Sequence, residues 1–167
     1  MNYIIIAGII ILNFILQSTV FQYFHFLQVL PNTSLILVVT YSLLAGKNSG
    51  AIVGLAVGLL QDIFFYDVIG VNALIYFLIG YVLGLLDEKV FKENLILPFL
   101  ITAATTAVFH IMHYFFMYFL SVDVHLIPIL KNVLLKEAIY NAVLSIFVYK
   151  YMLKFYKEPR IKFTKRL

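Results

Sequence analysis

Cysteine and charge are what this 167-residue chain most clearly lacks. It contains no cysteine, so it can form neither a disulfide framework nor a thiolate metal site. Charged residues make up only 12% of the chain, whereas a soluble domain has about 25%. No Asp, Glu, Lys or Arg occurs between Met1 and Gly46. This shortage of charge excludes an ordinary soluble globular domain.

Recognisable catalytic motifs are also lacking. The sequence has no HExxH zinc motif, no GxxxxGK[ST] phosphate-binding loop and no serine in a recognisable nucleophile elbow. His110 and His113 are three residues apart and form a possible metal pair, with Asp62 or Glu137 as a carboxylate ligand. Two histidines in an aromatic-rich helix are more often ordinary polar contacts. We therefore expect no catalytic residues, no bound metal and no cofactor.

What the chain has instead is long apolar runs. Its mean hydropathy is +1.01, and 63% of its residues are hydrophobic. About 20 apolar residues cross the roughly 30 Å of hydrocarbon in a bilayer. Six candidate spans cover residues 3–24, 32–46, 49–66, 70–86, 95–120 and 131–153. These runs predict an all-α, polytopic membrane protein with a six-transmembrane-helix bundle in residues 1–153 and a basic cytoplasmic tail in residues 154–167.

Lys and Arg indicate the orientation of the predicted spans. Seven of the twelve basic residues lie at or after Lys150, and basic residues favour the cytoplasmic side. Placing both termini in the cytoplasm leaves only Lys131 and Lys136 outside. Five spans, with the N-terminus outside, are the alternative. The first run lacks a basic n-region and a small-residue cleavage site, so we expect a retained helix rather than a signal peptide.

Glycine recurs at a fixed spacing in two of the runs. Gly50, Gly54 and Gly58 lie four residues apart in the third run, and Gly80 and Gly84 repeat this spacing in the fourth. Lipid tails are as apolar as leucine, so helices associate in a bilayer through close packing, which small residues allow. The five glycines therefore predict a tight helix contact. Two interpretations stay open: packing inside the bundle, or a groove for another protein's transmembrane helix.

Polar side chains concentrate toward the outer ends of the predicted spans. An ionised acid at the bilayer centre costs about 2.5–3.5 kcal/mol on insertion scales, so Asp62 is expected to face the bundle interior. Counting about 1.5 Å per residue places several other polar side chains in the same outer part. The predicted outer polar cluster consists of Gln17, Asp62, Asn72, His110 and Glu137, with Lys136 as a possible counter-ion. It is either a ligand or partner site, or a hydrogen-bond network that only fixes helix register.

The most specific pattern in the sequence runs from Gly54 to Leu74. The third run ends in Gly-Leu-Leu-Gln-Asp at Asp62, and Gly70-Val-Asn-Ala-Leu opens the fourth. Two further short patterns are Gln17-Ser18 in the first run and Pro31-Asn32 at the start of the second. In all these residues the chain resembles the MreD family of the bacterial rod-shape machinery. The resemblance also includes the size of the chain and the order of its predicted spans, over nearly its whole length.

This resemblance implies a fold similar to the substrate-binding subunits of energy-coupling-factor transporters, and no enzymatic activity. It also implies a multi-pass protein of the bacterial inner (cytoplasmic) membrane that acts with MreC, a bitopic protein with an external domain. MreB, RodA and a class B penicillin-binding protein would be indirect partners in lateral peptidoglycan synthesis and cell shape. Nucleic acid would not be a partner, and a homo-oligomer within a hetero-complex is possible. On this basis the glycine face is expected to dock the MreC helix.

A substrate-binding subunit of an energy-coupling-factor vitamin transporter is the alternative function, because it has the same size and span number. Such subunits commonly carry an Ala-xxx-Ala-type patch on the first span. Here Ala7 and Gly8 have no small residue four positions further on. A structural membrane protein without a cavity function is the third interpretation. Internal pairing of all the outer polar residues would favour it.

Overall fold

The computed structural model describes residues 3–20, 29–87, 94–122 and 133–156, and in these ranges the regular secondary structure is entirely helical. The helices are α1 (Tyr3–Ile15, continued by a π-helical turn at Leu16–Val20), α2 (Thr33–Ala45), α3 (Lys47–Phe65), α4 (Val71–Gly84), α5 (Ile96–Phe119) and α6 (Leu135–Phe155). The predicted all-α class is therefore confirmed for the described residues. Each predicted span overlaps one of these helices, although α3 begins at Lys47, before its predicted span, and α6 ends at Phe155, after its own.

Length and apolar composition qualify two described helices, α3 and α5, as candidate membrane spans. Helices α1, α2 and α4 are apolar but shorter. The number of membrane crossings, the orientation and the division into residues 1–153 and a tail stay predictions. Parts of the first and sixth predicted spans, at residues 21–24 and 131–132, lie outside the described residues, as does the tail from residue 157 onward.

Two glycines with positive φ separate consecutive helices. Gly46 alone joins α2 to α3, with a φ of 81°, and Gly70 precedes α4 with a φ of 104°. Both values lie in the left-handed region, which glycine adopts without the steric penalty of a Cβ. Lys47 already belongs to α3, so Gly46 is the single residue between the two helices, whereas the predicted runs left residues 47 and 48 between them.

Helix α2 forms the centre of the bundle. Every side chain from Ser34 to Leu44 is buried, and α3, α4, α5 and α6 all pack against it. Thirteen residues of α-helix extend only about 20 Å, less than the roughly 30 Å of hydrocarbon in a bilayer. Because these helices surround α2, its side chains contact protein and not lipid, and the helix need not be as long as the hydrocarbon layer is thick.

The closest contact in the described residues joins α3 to α4. At one end of this contact, Gly50 of α3 and Gly80 of α4 face each other. A Cβ built on either one would overlap the other's carbonyl oxygen. Gly84 lies against the backbone of Lys47 in the same way. The two helix backbones therefore touch without side chains between them.

The same contact continues toward the C-terminal end of α3. A Cβ on Gly54 would overlap the backbone carbonyl of Tyr76, and a Cβ on Gly58 would overlap the backbone of Ala73. All five predicted packing glycines thus lie in one antiparallel hairpin. The face that we considered as a groove for another protein's helix is filled by α4 of the same chain.

The other helices of the bundle pack less closely than α3 and α4 do. Helices α5 and α6 pack against each other as a second pair. Helix α1 lies at the edge and touches α2 and α3 only sparsely. Gly8 of α1 has no heavy atom near the position that a Cβ would occupy. Small residues therefore mark close approach in α3 and α4 but not in α1.

We predict that Gly54→Ala destabilises the folded protein by about 1–3 kcal/mol, because the added methyl group must push α3 away from the Tyr76 carbonyl. Gly8→Ala is the matched control. Its methyl group enters open space, and alanine is the better helix former, so its stability should be unchanged or slightly higher. Thermal unfolding in detergent, followed by circular dichroism, compares the two variants. Equal stabilities of the two variants would contradict the backbone contact.

Candidate functional site

Asp62 lies where α3 ends and α4 begins, at the connected end of the α3–α4 hairpin. Its side chain is completely buried. Oδ2 accepts hydrogen bonds from the backbone N–H groups of Gly70 and Ala73, each at 2.9 Å. Oδ1 accepts from the backbone N–H of Asn72 at 3.1 Å and from its side-chain amide at 2.8 Å. The carboxylate therefore caps the first turn of α4 from the last turns of α3.

This cap accounts for an acid at that position in an apolar helix. The first N–H groups of a helix have no partner within the helix, and Gly70, the N-cap of α4, has no side chain to offer one. A negative charge is also stabilised at a helix N-terminus. The four hydrogen bonds use the acceptor positions that a carboxylate ordinarily has. Asp62 is thus bonded to its own chain and is not directed at an open site.

A second set of polar side chains links the helices through a continuous hydrogen-bonded chain. We call it the six-helix network, because it includes side chains from all six helices and their caps. Its members are Asn13 and Gln17 of α1 and its π-helical turn, Asn32 and Ser34 at the start of α2, Gln61 of α3, Tyr76 of α4, Asn141 and Glu137 of α6, and His110 of α5.

At the α1 end of the network, one hydroxyl and three amides meet. Asn13 Nδ2 donates to Ser34 Oγ at 3.1 Å, and Ser34 Oγ donates to Gln17 Oε1 at 2.8 Å. Gln61 Nε2 donates to the same oxygen at 3.1 Å. Ser34 and Gln61 are both buried. These contacts join α1 to α2 and α3.

Tyr76 is the centre of the network. Its hydroxyl lies 2.9 Å from Gln61 Oε1 and 3.0 Å from Asn32 Oδ1, and its single proton serves one of these acceptors. Asn32 Oδ1 also accepts from the backbone N–H of Leu35 at 2.9 Å and so caps α2. The fully buried Tyr76 ring stacks on Phe109 of α5, with ring centroids 5.3 Å apart.

The network ends in a buried acid and a histidine. The Asn32 backbone N–H donates to Asn141 Oδ1 at 2.9 Å. Asn141 Nδ2 lies 3.3 Å from Glu137 Oε1, and the other carboxylate oxygen lies 2.8 Å from His110 Nε2. Glu137 stands in the first turn of α6, where a negative charge is favoured by the helix dipole. His110 and Glu137 thus join α5 to α6.

The predicted outer polar cluster is therefore divided into two groups. Asp62 and Asn72 form the cap of α4, whereas Gln17, His110 and Glu137 belong to the six-helix network. These contacts favour the register-fixing interpretation over an open ligand site. Any role of these side chains toward a ligand or a partner stays a prediction.

Sequence analysis missed six members of the network: Asn13, Asn32, Ser34, Gln61, Tyr76 and Asn141. Helical spacing was an available signal for two of them. Asn13 lies four residues before Gln17, and Asn141 four residues after Glu137, so each shares a helix face with a predicted member. Tyr76 had no such signal, because a tyrosine in an apolar run is as compatible with lipid as with a buried contact.

His113 is not part of the network. Its ring packs against Tyr66 and Phe109, with centroid distances of 5.9 Å and 5.8 Å. Among the residues that the structure describes, no three side chains of the His, Cys, Asp or Glu types come together as a metal site. His110 instead contacts Glu137. The described geometry therefore gives the possible histidine metal pair no third ligand.

An apolar groove of about 350 Å³ opens between α4 and α5. Leu78, Ile79, Val82, Leu83, Thr105, Val108 and Met112 line it. These side chains are nearly all large and apolar, whereas the small residues of α4 face α3. The groove belongs to the outer surface of the bundle and is separate from the six-helix network.

We predict that Asp62→Leu lowers the free energy of unfolding by about 2–4 kcal/mol, because it removes a cap and leaves buried N–H groups unpaired. Asp62→Asn should cost less, because its amide oxygen still accepts. Asp67→Asn is the control, since Asp67 is an exposed acid between the same two helices. Denaturant unfolding in detergent measures the stabilities. Hydrogen exchange at Asn72 and Ala73 should rise in Asp62→Leu and stay unchanged in Asp67→Asn, and unchanged exchange in Asp62→Leu would contradict the capping role.

Comparison with known proteins identifies the family. Neither the curated proteins nor the solved structures give a match. A family model described as rod shape-determining protein MreD matches residues 1–158, which is nearly the full chain. The apolar helices agree with the membrane location of that family. The chain belongs to the MreD family of rod shape-determining membrane proteins, and its role is in the determination of rod shape.

Proposed function

We propose that this protein is a non-enzymatic membrane subunit of the rod-shape (elongation) complex, which binds MreC and thereby supports regulation of lateral peptidoglycan synthesis. The observation that carries the proposal is the match of residues 1–158 to the MreD family. MreB, RodA and a class B penicillin-binding protein are indirect partners in this proposal. The protein lies in the bacterial inner membrane, with six spans and both termini in the cytoplasm.

The described geometry supports a platform more than a reactive site. The side chains of the six-helix network bond to one another, and Asp62 and Asn32 cap α4 and α2. The glycine contacts hold α3 and α4 at backbone distance. Such a bundle can hold a partner's transmembrane helix, and the external domain that follows it, at a constant height above the membrane.

The partner helix has to meet the outer surface of the bundle, because α4 already occupies the glycine face of α3. Replacing Gly54 or Gly58 would therefore damage the protein's own hairpin and would say little about MreC. Each outer helix presents exposed apolar side chains that can be tested separately. Representative positions are Ile11 of α1, Ile52 of α3, Val82 of α4, Val108 of α5 and Phe147 of α6.

We predict that a photo-crosslinking amino acid at these five positions captures MreC from one helix or from two neighbouring helices. A partner helix covers only one side of a bundle, so the remaining positions should crosslink to lipid alone. The experiment uses co-expressed, tagged MreC in intact membranes, followed by immunoblotting. A tagged, unrelated bitopic protein is the control. Normal accumulation of both proteins without a crosslink at any of the five positions would contradict the proposal.

The vitamin-transporter interpretation has no observation in its favour. Its ligand site would have to use the outer polar side chains, and in the described residues each of these side chains is hydrogen-bonded to another side chain of the protein. Mass spectrometry of the purified protein tests this alternative directly. A vitamin retained at one molecule per chain would support it over the rod-shape role.

A further inference from the structure

Helix α1 is attached to the bundle differently from the other helices. Ile6 is buried, Ile9 and Ile10 are partly buried against the core, and the Phe14 ring packs on Phe64 and Phe65 of α3 at centroid distances of 4.9 Å and 5.5 Å. At Gly8 the backbone of α1 makes no close approach, since the space beside it is open. Most other side chains of α1, such as Ile4 and Leu12, are exposed.

Apolar contacts of this kind do little to hold a helix in place within a bilayer. When α1 moves away, lipid tails replace its isoleucines against the core, and the tails are equally apolar. Hydrogen bonds have no such replacement, because lipid tails offer neither donors nor acceptors. The position of α1 therefore depends on the polar contacts that it makes with α2 and α3.

Those contacts are concentrated at one end of α1. We call them the α1 anchor: the hydrogen bonds that join Asn13 and Gln17 to Ser34 and Gln61. Gln17 lies in the π-helical turn Leu16–Val20. Such turns are rare and occur frequently at functional sites. Nearby, the Ser18 hydroxyl donates only to the carbonyl of Ile15 within α1 itself.

The other five helices have contacts of their own that do not involve α1. The glycine contacts and the Asp62 cap hold α3 to α4. The network from Gln61 through Tyr76 to Glu137 and His110 connects α3, α4, α2, α6 and α5. Loss of the α1 anchor would leave these interactions in place.

We propose that α1 is a two-state helix, docked while the α1 anchor is formed and displaced sideways in the membrane when it is broken. Displacement uncovers the parts of α2 and α3 that α1 now covers, while the remaining bundle keeps its arrangement. The anchor thus acts as a conformational device that controls access to that surface. This inference does not depend on the identity of the partner protein.

Electron–electron distance measurements on the full chain in lipid nanodiscs test the proposal. The absence of cysteine provides a clean background for spin labels. The test pair is Ile4→Cys with Phe147→Cys, which reports on α1 relative to α6. The control pair is Ile52→Cys with Phe147→Cys, which reports on α3 relative to the same site. All three side chains are exposed.

Gln17→Ala should broaden or shift the test-pair distances and raise the displaced population by roughly tenfold, while the control-pair distances stay constant. Asn13→Ala, which breaks only one contact, should give a smaller shift. Ser18→Ala is the matched control and should change neither pair. Unchanged test-pair distances in both anchor variants would overturn the proposal. So would a simultaneous change in the control pair, because docking of α1 would then be inseparable from the fold of the bundle.

Discussion

Direct contact between the backbones of α3 and α4 is the interaction on which the rest of this structure depends. In water, burial of apolar side chains would hold two such helices together, but in lipid that driving force is absent. Five glycines let the helices approach until the carbonyls of Tyr76 and Gly80 lie where a Cβ would be. Close packing of this kind is the interaction that lipid cannot replace. The hairpin thus gives α2 and α5 a stable surface to pack against.

Polar side chains then determine how the remaining helices are arranged. A buried amide or hydroxyl in the membrane is costly unless it is paired, so each pair has few alternatives once the helices assemble. Tyr76 and Asn141 illustrate this, because each contacts groups on two other helices. The network therefore restricts rotation and sliding of helices whose apolar surfaces alone would tolerate several positions. Among the described residues, Asn13 and Gln17 are the side chains through which α1 joins this arrangement, which explains its different attachment.

Much of the fold was predictable from the sequence, because the length of an apolar run and the spacing of its glycines are local features that can be read from the sequence. Helices α2 to α5 begin and end within two residues of their predicted runs, and the glycines of α3 and α4 do lie at a tight helix contact. The site was predictable only in part. The position of a side chain along its helix could be counted from the sequence, but the rotation of the helix about its own axis could not. Asp62 was therefore placed correctly beside the start of α4, while its partners there, the N–H groups of α4, were missed.

The residues that carry the family resemblance now have a physical explanation. Gly54 and Gly58 form the backbone contact, Asp62 caps α4, and Asn72 bonds to that carboxylate. The pattern from Gly54 to Leu74 thus specifies the geometry of one hairpin and contains no reactive group. A sequence pattern of this kind identifies the platform, but it says little about the surface where a partner binds. Exposed side chains such as Val82 and Val108 do not contribute to that hairpin geometry, so the specificity for a partner has to be sought on the lipid-facing surface of the bundle.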